Sequence, residues 1–349
     1  MALILPSIPP LDLNAQAVAR ARQASLTKPL GSLGRLEDLS VQLAAITGRP
    51  RPSVARKAVI IMAGDHGVAA EGVSAYPAEV TSQMVLNFLH GGAAINVLAR
   101  QADARIIVVD VGVAADLPPW PGLEQRKVAR GTQNMARGPA MTCAQAEAAL
   151  CVGLEVAQAE IARGVEVVAT GDMGIGNTTP SAAIVAALTG RPAAQVTGRG
   201  TGLDDAALAR KAAIVERALA VNQPDPKDAL DVVSKVGGLE IAGLAGVIIG
   251  AAAGRVPVVI DGFISGAAAL VAAGLKPEVK PYLIAAHRSV EIGHAVALEY
   301  LGLRPLLELE LRLGEGTGAA LAFHLLEASV RLLNEMATFA DAGVSEKAA

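Results

Sequence analysis

Aromatic side chains are scarce in this chain of 349 residues, since Phe, Tyr and Trp together make up only 2% of it. Hydrophobic residues nevertheless reach 52%, so a large core must be built from small and branched aliphatic side chains packed through close helix contacts. With 18% charged residues, the composition is too apolar for a disordered protein. We therefore expect an α/β layered fold.

Cysteine, excess charge and long apolar runs are also lacking. The two cysteines, Cys143 and Cys151, have no Cys or His cluster near them, so we expect buried free thiols and neither a disulfide framework nor a zinc site. The net charge of −3 with interspersed signs argues against a nucleic-acid partner. Pro and Gly interrupt every long hydrophobic run, and residues 1–6 lack the basic flank of a signal peptide. We expect a cytoplasmic protein with no membrane partner.

Four short apolar runs are separated by helix-compatible sequence, which predicts a Rossmann-like parallel sheet flanked by helices. They span residues 57–62, 104–110, 165–169 and 256–260. Polar or glycine-rich turns follow each run, and ligands of open α/β sheets bind beyond such carboxyl ends. Both chain ends have amphipathic helix patterns without strand runs. We predict a large α/β domain over 55–305 and a smaller, discontinuous helical domain from 1–54 and 306–349.

The most informative stretch is GDMGIGNTTPS, residues 171–181, where a strand, a glycine-rich turn and a helix start meet. Glycines let backbone approach a ligand, and the free amides of a helix start attract anions. This pattern is typical of a phosphate-binding loop, although the same turn also serves to pack a helix against a strand. A different glycine series, at positions 243, 246 and 250, favours close helix packing.

Two more glycine clusters carry polar residues. In the first, residues 196–202, glycine amides precede a helix with Lys211, which either supplies a mobile cation for phosphate or lies on a solvated helix face. In the second, residues 312–318, Glu315 lies between two glycines. A carboxylate facing an apolar pocket would have a raised pKa and could accept a proton from a nitrogen acid. The alternative is that Glu315 complements the dipole of the following helix.

Five strings occur in order along the chain: TKPLGSLGRLE at 27–37, AGDHGV at 63–68, GDMGIGNTT at 171–179, GRGTG at 198–202 and LGEGTG at 313–318. Together they closely resemble the nicotinate-nucleotide:dimethylbenzimidazole phosphoribosyltransferase family, over nearly the whole chain. The resemblance implies transfer of phosphoribosyl from nicotinate mononucleotide to N1 of 5,6-dimethylbenzimidazole, with inversion at C1′, in the assembly of cobalamin. It also implies a homodimer that needs no metal or other cofactor.

Carried over by position, the resemblance makes Glu315 the catalytic base. The residues expected to bind the nucleotide are Asp172, Gly174, Ile175, Gly176, Asn177, Thr178, Gly200, Gly202, Lys211 and Ser289. Asp172 stands where other members can carry Glu, and a water could fill the gap left by its shorter arm. The candidates for the base pocket are Tyr76, Gln83, Met84 and Leu313; Tyr76 and Met84 are equally plausible as core residues.

Two other functions remain open from the sequence. A dinucleotide-dependent oxidoreductase would explain parallel strands with glycine turns, but the first turn, AGDHG, is not a Gly-x-Gly-x-x-Gly motif. A non-catalytic protein that delivers a base or nucleotide would bind ligand regardless of the Glu315 carboxylate. We assign no histidine to catalysis, and we expect a structural hydrogen bond for His66.

Overall fold

The computed structural model describes residues 4–200, 202 and 204–345, and its centre is a parallel sheet of six strands. The strands are β1 (Lys57–Gly64), β2 (Ala104–Gly112), β3 (Leu123–Gln125), β4 (Val167–Met173), β5 (Val258–Ile260) and β6 (Leu283–Ala285). Their order, β3-β2-β1-β4-β5-β6, is that of a doubly wound Rossmann-type sheet. The predicted fold class is therefore confirmed.

All four predicted strands are present, while β3 and β6 are additional strands at the two edges of the sheet. Each edge strand has only three residues, which is too short to give a recognisable apolar run. β4 and β5 also begin two residues later than the apolar runs that predicted them.

Helices connect and cover the strands. They are α1 (Leu13–Ser25), α2 (Arg35–Thr47), α3 (Val80–His90), α4 (Ala94–Gln101), α5 (Cys143–Ala162), α6 (Thr178–Thr189), α7 (Ala193–Val196), α8 (Asp205–Asn222), α9 (Ala229–Val236), α10 (Leu239–Ala253), α11 (Phe263–Leu275), α12 (Ile292–Leu301), α13 (Thr317–Glu335) and α14 (Phe339–Ala342). Short 3-10 helices span Gly67–Glu71 and Pro277–Tyr282. No helix in the described part of the chain is long and apolar enough to cross a membrane.

Successive residues of β1 enter different cores, because side chains alternate across a strand. Ile60 and Met62 belong to the core that includes α5, α10 and α11. Val59 and Ile61 belong to the core on the opposite face, with side chains from α2, α3, α4 and α13. Burial on both faces explains the continuous apolar run in the sequence.

α5 and α10 pack backbone against backbone. A Cβ added to Gly153 would lie 1.8 Å from the Gly243 carbonyl oxygen, and one added to Gly246 would lie 2.0 Å from the Leu150 carbonyl oxygen. No side chain fits at such contacts, so the predicted packing role of the 243–250 glycines is confirmed. A core assembled this way needs few aromatic rings to fill it.

The two ends of the chain meet. Leu26 forms an antiparallel bridge with Thr338, and the Arg22 Nε donates to the Leu333 carbonyl oxygen at 2.6 Å. α13 packs on α1 and α2 and also on strands β4 and β5. The domain division at residues 54/55 and 305/306 stays a prediction.

The predicted state of the cysteines needs one correction. Both thiols are free, but Cys143 is exposed and Cys151 is only half-buried. They lie on α5, whose buried side is taken by alanine, leucine and glycine in contact with α10. The expectation of buried thiols was therefore wrong.

Candidate active site

A cavity of about 350 Å³ opens where β4 ends. It is lined by Val73, Ser74, Tyr76, Val80, Met84, Asp172, Met173, Gly174, Ile175, Gly176, Asn177, Thr178, Leu313 and Glu315. Polar groups come from the end of β4 and from the turn before α13, and aliphatic side chains supply most of the remaining wall. Such a mixture suits a ligand with one flat apolar part and one polar part.

The loop between β4 and α6 is held by a hydrogen bond within its own backbone and by one to α3. The Asn177 amide donates to the Gly174 carbonyl oxygen at 3.1 Å, and the Ile175 amide donates to Thr81 Oγ1 at 3.1 Å. Gly176 has a left-handed φ of +87°, and a Cβ on Gly174 would lie 2.3 Å from the Gly64 carbonyl oxygen. The loop is therefore preformed, and the Ile175 and Asn177 amides are already bonded to protein acceptors.

Asp172 places a buried carboxyl group at the cavity wall. Its Oδ2 accepts from Asn177 Nδ2 at 2.9 Å, whereas Oδ1 has no hydrogen-bond partner among the described residues. Burial, and then the nearby Asp261, raise the pKa of Asp172 well above its ordinary value. A ligand hydroxyl at Oδ1 would satisfy this group, because buried polar atoms without partners cost free energy.

Glu315 has an unusual backbone. Its φ is +63°, and it lies between Gly314 at +80° and Gly316 at +93°. A left-handed conformation is uncommon for a residue with a side chain. Strand β4 has a glycine where it passes this residue, because a Cβ on Gly171 would lie 2.5 Å from the Glu315 carbonyl oxygen.

The surroundings of Glu315 also change the acidity of its side chain. Burial raises the pKa of Glu315 to about 7; the Ile95 amide, 3.4 Å from Oε2, acts in the opposite direction, and Asp261 adds to the increase. The residue is only 5% exposed and yet lines the cavity. A carboxylate with this pKa is suited to accept a proton near neutral pH.

Lys211 lies behind the loop and is fixed in place. The residue is 1% exposed, and its Nζ donates to Thr178 Oγ1 at 2.7 Å. Burial lowers the pKa of Lys211 to about 8, against an opposing effect of Glu291. The alternative of a solvated helix face was therefore wrong, because packing buries the ammonium group at the start of α6.

A second cavity of about 390 Å³ adjoins this lysine through Gly200. A Cβ on Gly200 would lie 3.0 Å from both Lys211 Nζ and Thr178 Oγ1. The Gly200 amide donates to Glu291 Oε1 at 2.7 Å, and its carbonyl oxygen accepts from Arg312 Nη1 at 3.2 Å. The Gly200 backbone thus separates the lysine from the second cavity.

His66 has the structural role expected from the sequence. Its Nε2 lies 2.8 Å from Glu240 Oε1, and both side chains are completely buried. Burial opposes protonation, but Glu240 and Asp65 together outweigh it and raise the pKa of His66. Among the described residues, no group of three or more His, Cys, Asp or Glu side chains could hold a metal ion.

Known proteins share both this sequence and this fold. A phosphoribosyltransferase family model matches residues 8–344. The nicotinate-nucleotide–dimethylbenzimidazole phosphoribosyltransferase of Chloroflexus aggregans is 64% identical over 340 residues, covering 97% of this chain and 96% of the relative. The chain belongs to this phosphoribosyltransferase family. The relative of the same name from Geobacter sulfurreducens is 60% identical over 98% of this chain and 97% of its own length. The crystal structure of CobT from Thermus thermophilus superposes with a TM-score of 0.93 at 52% identity, covering 96% of this chain and all of that one.

In this phosphoribosyltransferase, most of the predicted site residues come together. Those that line the 350 Å³ cavity are Tyr76, Met84, Asp172, Gly174, Ile175, Gly176, Asn177, Thr178, Leu313 and Glu315. Gly200 and Gly202 line the second cavity. Gln83 is exposed and lines neither cavity. Ser289 is buried, and its amide donates to His294 Nδ1 at 3.0 Å; its neighbours Val290 and Glu291, rather than Ser289, line the second cavity.

Sequence reasoning missed several residues of this phosphoribosyltransferase. Glu291 and Arg312 bracket the Gly200 backbone, and Val73 and Val80 contribute apolar wall to the first cavity. The signal for Glu291 was its position two residues after Ser289, in a segment already singled out. The two valines gave no signal, because valine is common in any core.

Proposed function

We propose that this enzyme transfers the 5-phosphoribosyl group of nicotinate mononucleotide to N1 of 5,6-dimethylbenzimidazole, producing α-ribazole 5′-phosphate and nicotinate. The observation that carries the proposal is Glu315, a carboxylate with a pKa of about 7 that is held on a strained backbone in a cavity with aliphatic walls. The printed names of the relatives from Chloroflexus and Geobacter state this activity for those proteins.

The reaction requires one bond to form while another breaks. N1 of the benzimidazole attacks C1′ of the ribose, and the bond from C1′ to the pyridinium nitrogen breaks, with its electron pair returning to the nitrogen of nicotinate. The other benzimidazole nitrogen gives its proton to Glu315, which then releases it to water. Attack on the face opposite the leaving group inverts C1′. Holding both reactants on this line contributes a large part of the rate, and proton transfer contributes about 10²- to 10⁴-fold more.

Different polar groups of the site bind different parts of the nucleotide. We assign a ribose hydroxyl to Asp172, whose Oδ1 has no partner among the described residues. The phosphate belongs near Thr178 and Gly200, where Lys211 supplies a positive charge that the protein holds in place. Ile175 contributes its side chain rather than its amide, because the amide is already bonded to Thr81.

The acceptor base fits against the aliphatic part of the wall. The apolar lining residues are Val73, Val80, Met84, Leu313 and Tyr76, of which Leu313 is 56% and Tyr76 55% exposed. Such walls recognise a flat apolar ring but discriminate single methyl groups by only about 10- to 200-fold. Dimethylbenzimidazole is the proposed acceptor, and benzimidazole and adenine are the alternative acceptors to be compared with it.

Chromatography of the reaction mixture tests the proposal. Purified enzyme is mixed with nicotinate mononucleotide and dimethylbenzimidazole, and nicotinate and α-ribazole phosphate are quantified for wild type, Glu315→Gln and Glu166→Gln. Glu166 is a matched control, since it accepts hydrogen bonds from Ser53 and Ala55 and does not line the first cavity. We expect product from wild type and Glu166→Gln, and at least a hundredfold slower turnover from Glu315→Gln.

Other results would change the assignment. Equal rates from all three proteins would keep the reaction and reject Glu315 as the base. Tight binding of both ligands without product from any of them would favour the delivery protein. NAD binding with hydride transfer would favour the oxidoreductase, whose nucleotide-binding topology this sheet shares.

We also propose that the enzyme works in the cytoplasm as a homodimer. The exposed side chains of Tyr76 and Leu313 at the cavity mouth, together with Val290 and Ile292 at the second cavity, support a partner surface close to the site. Light scattering coupled to size-exclusion chromatography is expected to give twice the mass of the chain. A monomer at micromolar concentration would contradict the homodimer.

A further inference from the structure

Asp261 follows β5 directly and is completely buried beneath the turn that carries Glu315. Its Oδ1 accepts from the Ala319 amide at 2.9 Å, and its Oδ2 accepts from the Gly316 amide at 3.3 Å. A single carboxylate from the sheet therefore holds the first turn of α13. It does so in place of a local cap, because Gly316 at the cap position has no side chain.

Those two bonds bear directly on Glu315. A residue with a side chain in the left-handed region costs roughly 1–2 kcal/mol and persists only where its surroundings enforce it. The Gly316 amide is one residue from Glu315, and the Ala319 amide is one helical turn further along. Without Asp261, the amides that open α13 would lose their acceptors, and the backbone at Glu315 would be free to relax.

Asp261 also places charge beside the site. Burial raises its pKa, while His287, whose Nε2 lies 3.7 Å from Oδ1, and the helix amides oppose the increase. The other titratable groups that face it are Asp172 and Glu315, and the pKa values of both are raised in part by Asp261. His294 lies behind His287, with ring centroids 6.0 Å apart.

We propose that Asp261 is a positioning residue for the transfer, fixing the backbone of Glu315 through the Gly316 and Ala319 amides and holding a second negative charge beside it. This inference rests on the proposed function insofar as Glu315 is the base. Asp261 does not line the first cavity and so does not need to touch substrate.

The test is Asp261→Asn, with Asp110→Asn as a matched control. Asp110 is also a buried carboxylate, near the end of β2, accepting from the Val113 amide at 2.9 Å and pairing with Lys127 at 2.9 Å. Two quantities are measured in each protein. One is the pH profile of kcat for α-ribazole phosphate formation. The other is the titration midpoint of the Glu315 carboxyl carbon, followed by ¹³C NMR and assigned by its absence from Glu315→Gln.

We expect Asp261→Asn to lower the Glu315 midpoint by roughly half a pH unit or more, since a nearby negative charge is removed. The acidic limb of the kcat profile should move with it. The maximum kcat should fall roughly ten- to a hundredfold, because one of the two hydrogen bonds from the helix amides is lost. Asp110→Asn should lower the melting temperature without moving the midpoint. An unchanged midpoint and kcat in a folded Asp261→Asn would overturn the proposal, as would an equal shift in Asp110→Asn.

Asp261→Glu provides the second variant if Asp261→Asn shows no cooperative unfolding transition. It keeps the charge but displaces the helix start, so the midpoint should stay near its wild-type value while kcat falls. Wild-type kcat in this variant would overturn the proposal. If wild type itself makes no α-ribazole phosphate, the proposed function fails, while the NMR midpoints still decide whether Asp261 controls Glu315.

Discussion

Replacement of Glu315 by Gln is expected to slow turnover at least a hundredfold while making the folded protein more stable at alkaline pH. The substitution keeps the shape of the side chain and removes its ability to ionise. In wild type the pKa of Glu315 is raised to about 7, chiefly by burial, from an ordinary value of 4.5. A group with this shift destabilises the fold whenever it is charged.

The sign and size follow from linkage. Below the unfolded pKa both states are protonated, so the shift has no effect on stability. As pH rises from there through 7, the unfolded chain ionises more readily and the native state loses stability, and the loss is complete above the folded pKa. One pKa unit corresponds to about 1.4 kcal/mol, which sets an upper limit of about 3 kcal/mol. Because the cavity admits some water, we expect about 1–2 kcal/mol.

Urea denaturation at about pH 4, below the ordinary pKa of 4.5, and at about pH 8.5 measures the effect. Glu315→Gln should resemble wild type at the lower pH and exceed it in free energy of unfolding at the higher one. The control is Glu166→Gln. Burial alone would raise the pKa of Glu166, but hydrogen bonds from Ser53, Arg56 and Ala55 outweigh it and lower the pKa. Its replacement should therefore be destabilising at high pH and less so at low pH. A Glu315→Gln difference that is independent of pH would refute the reasoning.

Other substitutions have equally definite outcomes. Lys211→Met keeps the length of a buried side chain but removes the charge beside Thr178. Steady-state kinetics should therefore show KM for nicotinate mononucleotide rising at least tenfold. An unchanged KM would show that the lysine does not bind the phosphate. Gly246→Ala places a Cβ 2.0 Å from the Leu150 carbonyl oxygen and should lower the free energy of unfolding, measured by thermal denaturation, by about 2 kcal/mol or more. The control is Gly138→Ala, whose added Cβ meets no atom within 4 Å and should change stability by less than about 0.5 kcal/mol. Equal effects of the two substitutions would contradict the close helix packing.

The fold was largely predictable because its strong signals are local. β1, β2 and β4 each contain a run of buried apolar residues, and the glycine spacing of α10 indicates close helix packing without naming α5 as the partner. The three-residue strands β3 and β6 were not predictable. Their pairing depends on where the sheet brings them rather than on any pattern of their own.

The site was predictable where residue type and local backbone agree. Glu315 between two glycines and the 174–178 loop after a strand are local features, and both line one cavity. Asp261 was less visible, since its role arises from amides of a helix distant in sequence. The burial of Lys211 was likewise a product of packing, because its helix pattern fits a solvated face as well as a buried one.

α13 has a consequence for the order in which the protein matures on the ribosome. Its Phe323 and Leu326 are completely buried in the core on one face of the sheet, together with Val59 and Ile61, yet it follows every strand in the sequence. Domains generally fold as units during synthesis, so a nascent chain that has all its strands but lacks α13 still exposes the part of that apolar face that α13 covers. α13 begins two residues after Glu315, the proposed catalytic base. We therefore expect a chain released before α13 to be both inactive and prone to aggregate, so that incomplete synthesis yields no partially active enzyme.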